Sequence, residues 1–254
     1  MDAVLNLPLK QLEDKHRQSI ADEDAFRAEK KINPAYLGNI YHSANHGANI
    51  PEELNCSLFI YNLPAHMTEK SLIEALLPHA PFDRIYALSV TPPSAGSFSD
   101  TSIAKITTFT RAGAEKLYNF IHAGWLAISG QQTRVRWNQI KVAAFPGDEY
   151  LSRVLLISGP KDVVTIPNLT AHLSRGIAYQ LEAATVKQET ADIRLIEWRF
   201  CSFRAQASSA KLLLRWELPA VTTRFGVDPL AVPLRAVPAG PRRFPPWDRS
   251  TEWV

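Results

Sequence analysis

Between residues 52 and 228, short apolar runs and amphipathic stretches alternate in one order, and then the order repeats. Residues 57–62 are an apolar and aromatic run closed by Leu63-Pro64, which reads as a strand. Thr68 stands where a helix N-cap belongs, with Glu69 in the first turn. Leu72, Ile73, Leu76 and Leu77 then share one face until Pro78 stops the helix. Residues 84–91 form a second strand, ended by Pro92-Pro93 and a Ser/Gly loop, and residues 102–109 a third. Ala114, Leu117, Tyr118 and Ile121 recur at helical spacing. Thr133-Arg134-Val135-Arg136-Trp137 alternates as a half-buried strand does. The order is βαββαβ, which closes as an antiparallel sheet with both helices on one face.

The second copy runs through a strand at 153–157 and a helix opened near Pro167 and marked by Leu169, Leu173 and Ile177. Strands at 181–186 and 193–203, a helix carrying Ala207, Ala210 and Leu214, and a strand at 222–225 closed by Gly226 complete it. The expected fold class is therefore α+β, with two ferredoxin-like βαββαβ domains at 52–142 and 150–228. Residues 1–51 read as an extension, partly helical or disordered, because the helix-forming stretch 11–31 makes no continuous apolar stripe. From Asp228 on the chain holds six of its 18 prolines, so 229–254 reads as a disordered tail.

Composition narrows the function. The chain is 46% apolar and 21% charged, close to the average for folded domains, and no run reaches the ~18 apolar residues of a membrane span. The opening Met1-Asp2-Ala3-Val4-Leu5-Asn6-Leu7 has no basic segment before an apolar run, so no secretory leader is expected. Two cysteines, Cys56 and Cys201, allow neither a disulfide framework nor a cysteine-based zinc site. A formal net charge of +3, from 28 basic and 25 acidic residues, identifies no partner by itself, and no segment is a polybasic arm. No phosphate-cradling or dinucleotide loop occurs. His42 and His46 lie in a loop-like stretch without a third ligand, and nothing places Cys201 beside a histidine. No enzyme activity, cofactor or metal is expected.

Leu58-Phe59-Ile60-Tyr61-Asn62-Leu63, followed by the Pro64 turn and the Thr68 helix, resembles the first-strand motif of the RNA recognition motif (RRM) family. The family's third-strand motif aligns with residues 101–108, where Ala104 matches outright and Ile106 is a conservative replacement. Thr101, Ile103 and Lys105 stand where the family has its phosphate contact and two stacking aromatics. The phrases Asn55-Cys56-Ser57-Leu58-Phe59, Arg111-Ala112-Gly113-Ala114 and Arg134-Val135-Arg136-Trp137-Asn138 are similar to tandem-RRM proteins of filamentous fungi.

The resemblance implies single-stranded RNA as partner, and the residue types explain how. With Leu58 and Ile60 packed on the helices, Phe59 and Tyr61 stand on the open face of the sheet. A base laid on such a ring gains ~1–3 kcal/mol. Lys105, Arg134 and Arg136 on the same face supply phosphate contacts, so the expected RNA-binding residues are Phe59, Tyr61, Lys105, Arg134 and Arg136. In the second half Leu155 replaces the stacking aromatic, and the register of Trp198-Arg199-Phe200 decides which face its rings take. Burying Glu197 and Arg199 unpaired would cost several kcal/mol, which favours the phase with Ile196, Trp198 and Phe200 inside. This half reads as a degenerate copy whose sheet is covered by the tail or by a protein partner. The alternative function is a protein–protein interaction module built on pseudo-RRM domains. Family analogy implies the nucleus or cytoplasm, the nucleus first.

Overall fold

Alternation along the first strand sends Leu58 and Ile60 inward and leaves Phe59 and Tyr61 on the other side. The structure, a computed structural model, describes residues 20–30, 40–41, 50–94, 100–145 and 149–231. After a helix at 20–29 (α1), the first domain is built from β1 (Ser57–Leu63), α2 (Glu69–Leu76), β2 (Ile85–Thr91), β3 (Ser102–Thr108) and α3 (Arg111–His122). A small hairpin of β4 (Ala127–Ile128) and β5 (Gln131–Gln132) precedes β6 (Arg134–Trp137). The sheet order is β2-β3-β1-β6, antiparallel throughout. Leu72, Ile73 and Leu76 of α2, and Ala114, Leu117 and Ile121 of α3, pack on Leu58, Ile60, Leu88, Ala104 and Ile106 of the sheet.

The second domain repeats this with β7 (Val154–Pro160), α4 (Ile166–Gly176), β8 (Leu181–Glu189), β9 (Ile193–Phe200), α5 (Ser208–Glu217) and β10 (Thr222–Phe225), in the equivalent order β10-β7-β9-β8. Three of the four sheet-covering helices start on a threonine whose hydroxyl accepts a backbone N–H of the first turn: Thr68 from Ser71 (3.2 Å), Thr110 from Gly113 (3.1 Å) and Thr165 from Asn168 (3.2 Å). At the first, Ser71 returns the bond to Thr68 N at 2.9 Å, a capping box. At the second, Asp83 accepts from both Thr110 N and its hydroxyl, and lies so close that a Cβ on Gly113 would come within 2.2 Å of it.

Ile196, Trp198 and Phe200 are fully buried, while Glu197 and Arg199 point outward and pair with each other at 2.7 Å. Charge desolvation selects this phase, the one expected from the charges of Glu197 and Arg199. One expectation needs correction. β9 ends at Phe200 rather than at 203, because Ser202 and Phe203 leave the sheet to meet the first domain. On the second sheet's outer face Leu156 is half-buried between Glu197 and Arg224, its neighbours across the strands, and the tail expected to cover that face lies, beyond Ala231, outside the described residues. Of the proline-rich stretch, Pro229–Ala231 form a short 3-10 turn that buries Leu230 against the first domain's core; residues 232–254, like His42 and His46, lie outside the described residues.

The two domains meet edge-on. The hydroxyl of Ser202 accepts from Leu88 N at 2.8 Å and donates to Leu88 O at 3.1 Å, serving the β2 edge as a neighbouring strand would. Around it Tyr86, Phe109, Phe145, Phe203 and Phe225 form one aromatic cluster with ring centroids 5.2–6.1 Å apart along its chain of contacts. Beside it Arg153, fully buried, is held by Glu182 and Asp228 and donates to Phe200 O at 2.8 Å. Ser202→Ala, which strands both Leu88 groups, should cost ~1–2 kcal/mol. The check is a thermal midpoint a few degrees lower by calorimetry of the full chain.

Candidate nucleic-acid interface

Strand pairing places the five expected residues on one face. Phe59 lies opposite Lys105 of β3 and opposite Arg136 of β6, and Tyr61 lies opposite Arg134. The face therefore carries one full row of Ser89, Lys105, Phe59 and Arg136; beyond it Tyr61 pairs with Arg134 and Thr91 with Ile103, the β1–β3 register being interrupted between Ile60 and Leu63. Phe59 and Tyr61 are half-buried, with ring centroids 6.4 Å apart and planes 35° apart. Arg134 and Arg136 are exposed, and the Arg136 guanidinium sits 4.6 Å over the Phe59 ring. Trp137, the next residue, turns to the helix side, stacked on Tyr118 at 5.1 Å with Arg111 over its other face at 3.7 Å.

The end of β1 is shaped by Asn62, whose backbone is left-handed (φ 60°). Its side chain donates to Gln132 O at 2.7 Å and accepts from Gln131 at 3.0 Å, tying the strand end to the β4–β5 hairpin. These bonds offset the ~1–2 kcal/mol that this conformation costs a residue with a Cβ. Because the domains join through the β2 edge, the rows around Phe59 and Tyr61 remain open among the described residues.

The second sheet differs in kind. Leu155 points into the core, and the outer face carries Arg199, which pairs with Glu197 and with Glu182 (3.3 Å), instead of aromatic rings. Neither thiol is poised for chemistry: burial pushes Cys56 up to about 11 and Cys201 up to about 12. Among the described residues no group of His, Cys, Asp and Glu is arranged to hold a metal, and no helix is long and apolar enough to cross a membrane.

One further residue near this face has no local signal in the sequence. Arg204, from the turn between β9 and α5 of the second domain, reaches the first sheet beside Lys105, where a cavity of about 220 Å³ also touches Ser57 and Thr107. No periodicity marks it, since it belongs to the other domain and to a turn.

Two antiparallel sheets of the same strand order, each with two helices on one face, define a tandem βαββαβ protein. No family model matches the chain, and no curated protein matches it. Similar solved structures include the Sex-lethal RNA recognition domains 1 and 2 from Drosophila melanogaster, at 14% identity over 68% of this chain and 100% of that chain, TM-score 0.25. Others are the first two RRM domains of the yeast poly(U) binding protein, at 13% identity over 68% and 99% with TM-score 0.27, and the C. elegans NONO-1 homodimer, at 19% over 75% and 74% with TM-score 0.24.

Proposed function

We propose that this protein is a non-enzymatic RRM-type RNA-binding protein that holds single-stranded RNA on the open face of its first sheet. The observation that carries the reading is the pair Phe59 and Tyr61, adjacent on one face of an inner strand and flanked across the sheet by Lys105, Arg136 and Arg134. Rings at successive outward positions accept successive bases, and cations on the neighbouring strands meet the phosphates that join them. Ile103 offers no ring in the third strand, so sequence preference should be weak and affinity modest. An RNA partner would place the protein in the nucleus or the cytoplasm.

The second domain's self-paired outer face favours a supporting role for it. A protein-interaction reading of that domain draws on α5, where Leu212 and Trp216 are 59% and 81% exposed. Fluorescence polarisation of mixed-sequence single-stranded RNA against the full chain separates the two. Three phosphate contacts predict a slope of log K against log salt of about −2. Absence of binding at low salt removes the RNA reading and leaves the protein-interaction module.

A further inference from the structure

On the helix side of the first domain, opposite the face that carries Phe59, aromatic rings come together around Phe120 of α3. The Phe120 ring lies 4.7 Å from His79, 5.3 Å from Phe82 and 6.4 Å from Trp125, centroid to centroid. Phe82 is buried in the core and anchors the group. Phe120 is half-buried, His79 is exposed, and Trp125, just past the end of α3, is 71% exposed. A single exposed apolar residue needs no explanation, but contiguous aromatic rings on a surface mark a contact. Such a row suits a proline-rich chain, which is extended before it binds and lays its rings against aromatic faces.

The chain itself delivers proline to this place. Leu230 is buried in the first domain's core, and its carbonyl accepts from Phe82 N at 2.7 Å. Asp228 holds the same turn, accepting from Ile85 N and from Leu230 N, each at 3.1 Å. The described residues therefore end, at Ala231, one residue past a backbone bond to the base of the ring group. Residues 232–238 then read Val-Pro-Leu-Arg-Ala-Val-Pro, the start of the 23 residues that follow Ala231. At ~3.1 Å per residue, an extended chain passes the ring separations above within about four residues.

We infer that residues 232–238 dock in cis on the Phe120–Trp125 surface, as a proline-rich strap across the helix side of the first domain. At three residues per turn, Leu234 and Val237 fall on one side of such a segment, Pro233 and Ala236 on the next, and Arg235 on the third. The two apolar sides meet the rings, and the charged one stays in water. The tether holds the segment beside its site at an effective concentration on the order of millimolar, so weak individual contacts suffice. Phe59 and Tyr61 lie on the other side of the domain, so this contact stands or falls independently of the RNA reading.

The test uses the full chain. Irradiation of Trp125→benzoylphenylalanine at low concentration should attach position 125 to residues 232–238 of the same chain, read by mass spectrometry of the digest. Cross-links that join two copies, that go only to other segments, or that fail to form overturn the proposal. Trypsin supplies the second measurement, the rate of cleavage after Arg235 relative to that after Arg249 in one digest. A protease reaches only the undocked population, so Trp125→Ala should raise that ratio ~3–10-fold. Trp216→Ala, at an exposed ring of the other domain, should leave it at the wild-type value. Trp125 is exposed, so its variant should melt with the wild type. A ratio that Trp125→Ala leaves unchanged overturns the docking.

Discussion

Asp228→Asn is expected to destabilise the full chain by ~3–5 kcal/mol, although it replaces one oxygen by an amide of nearly the same shape. The Oδ2 of Asp228 accepts from Arg153 Nε at 3.0 Å and from Ile85 N, on the first domain's edge strand, at 3.1 Å. Its Oδ1 accepts from Leu230 N at 3.1 Å and lies 2.9 Å from a second Arg153 nitrogen. Desolvation disfavours charge on the buried Arg153, but Asp228 and Glu182 more than offset it and hold its pKa above the ordinary arginine value. Losing the Asp228 charge leaves that guanidinium with Glu182 alone, which Arg199 already shares. An arginine cannot escape by shedding its proton, so the penalty stays in the folded state. Urea unfolding of the full chain gives the number. The companion measurement is Arg153→Met, alone and with Asp228→Asn. If orphaned charge is the cause, the double variant costs clearly less than the sum of the singles. Additive costs would assign the effect to lost packing instead.

Phe59→Ala is expected to weaken single-stranded RNA binding by ~1–3 kcal/mol, or ~5- to 150-fold, while leaving the fold near wild-type stability. The ring is half-buried on an open face, so truncation removes little core contact. The competitor for the ring is Arg136, whose guanidinium covers it at 4.6 Å. An exposed cation–π contact is worth ~0.5–1 kcal/mol, less than a stacked base. On the proposed reading a base is therefore expected to displace Arg136 from the ring, freeing the guanidinium for a phosphate. A titration at fixed salt in which Phe59→Ala binds as tightly as wild type would falsify the stacking assignment. Equal melting curves for the two proteins make that titration interpretable.

Much of the architecture is written in local patterns. Thr68, Thr110 and Thr165 cap helices because a hydroxyl at that position answers a free N–H of the first turn, a matter of three residues. Phe59 and Tyr61 face outward because Leu58 and Ile60 must face inward. The inward phase of Trp198 and Phe200 follows from the charges between them. The strand end at Phe200 was not legible, since the apolar run continues through Cys201 and Phe203 and only contacts with Leu88 and Tyr86 draw it off the sheet.

Alternation and spacing by themselves determined two βαββαβ units and the face that carries the aromatic pair, because each follows from the geometry of one strand or helix. The tertiary structure alone decided the edge-on junction, the buried Arg153–Asp228 pair and the placing of Arg204 on the first sheet. Those partners lie far apart along the chain, 75 residues for Arg153 and Asp228 and 114 for Leu88 and Ser202. No short-range period encodes such a meeting: it arises when two finished domains bury an aromatic edge and must satisfy every charge and backbone group they enclose.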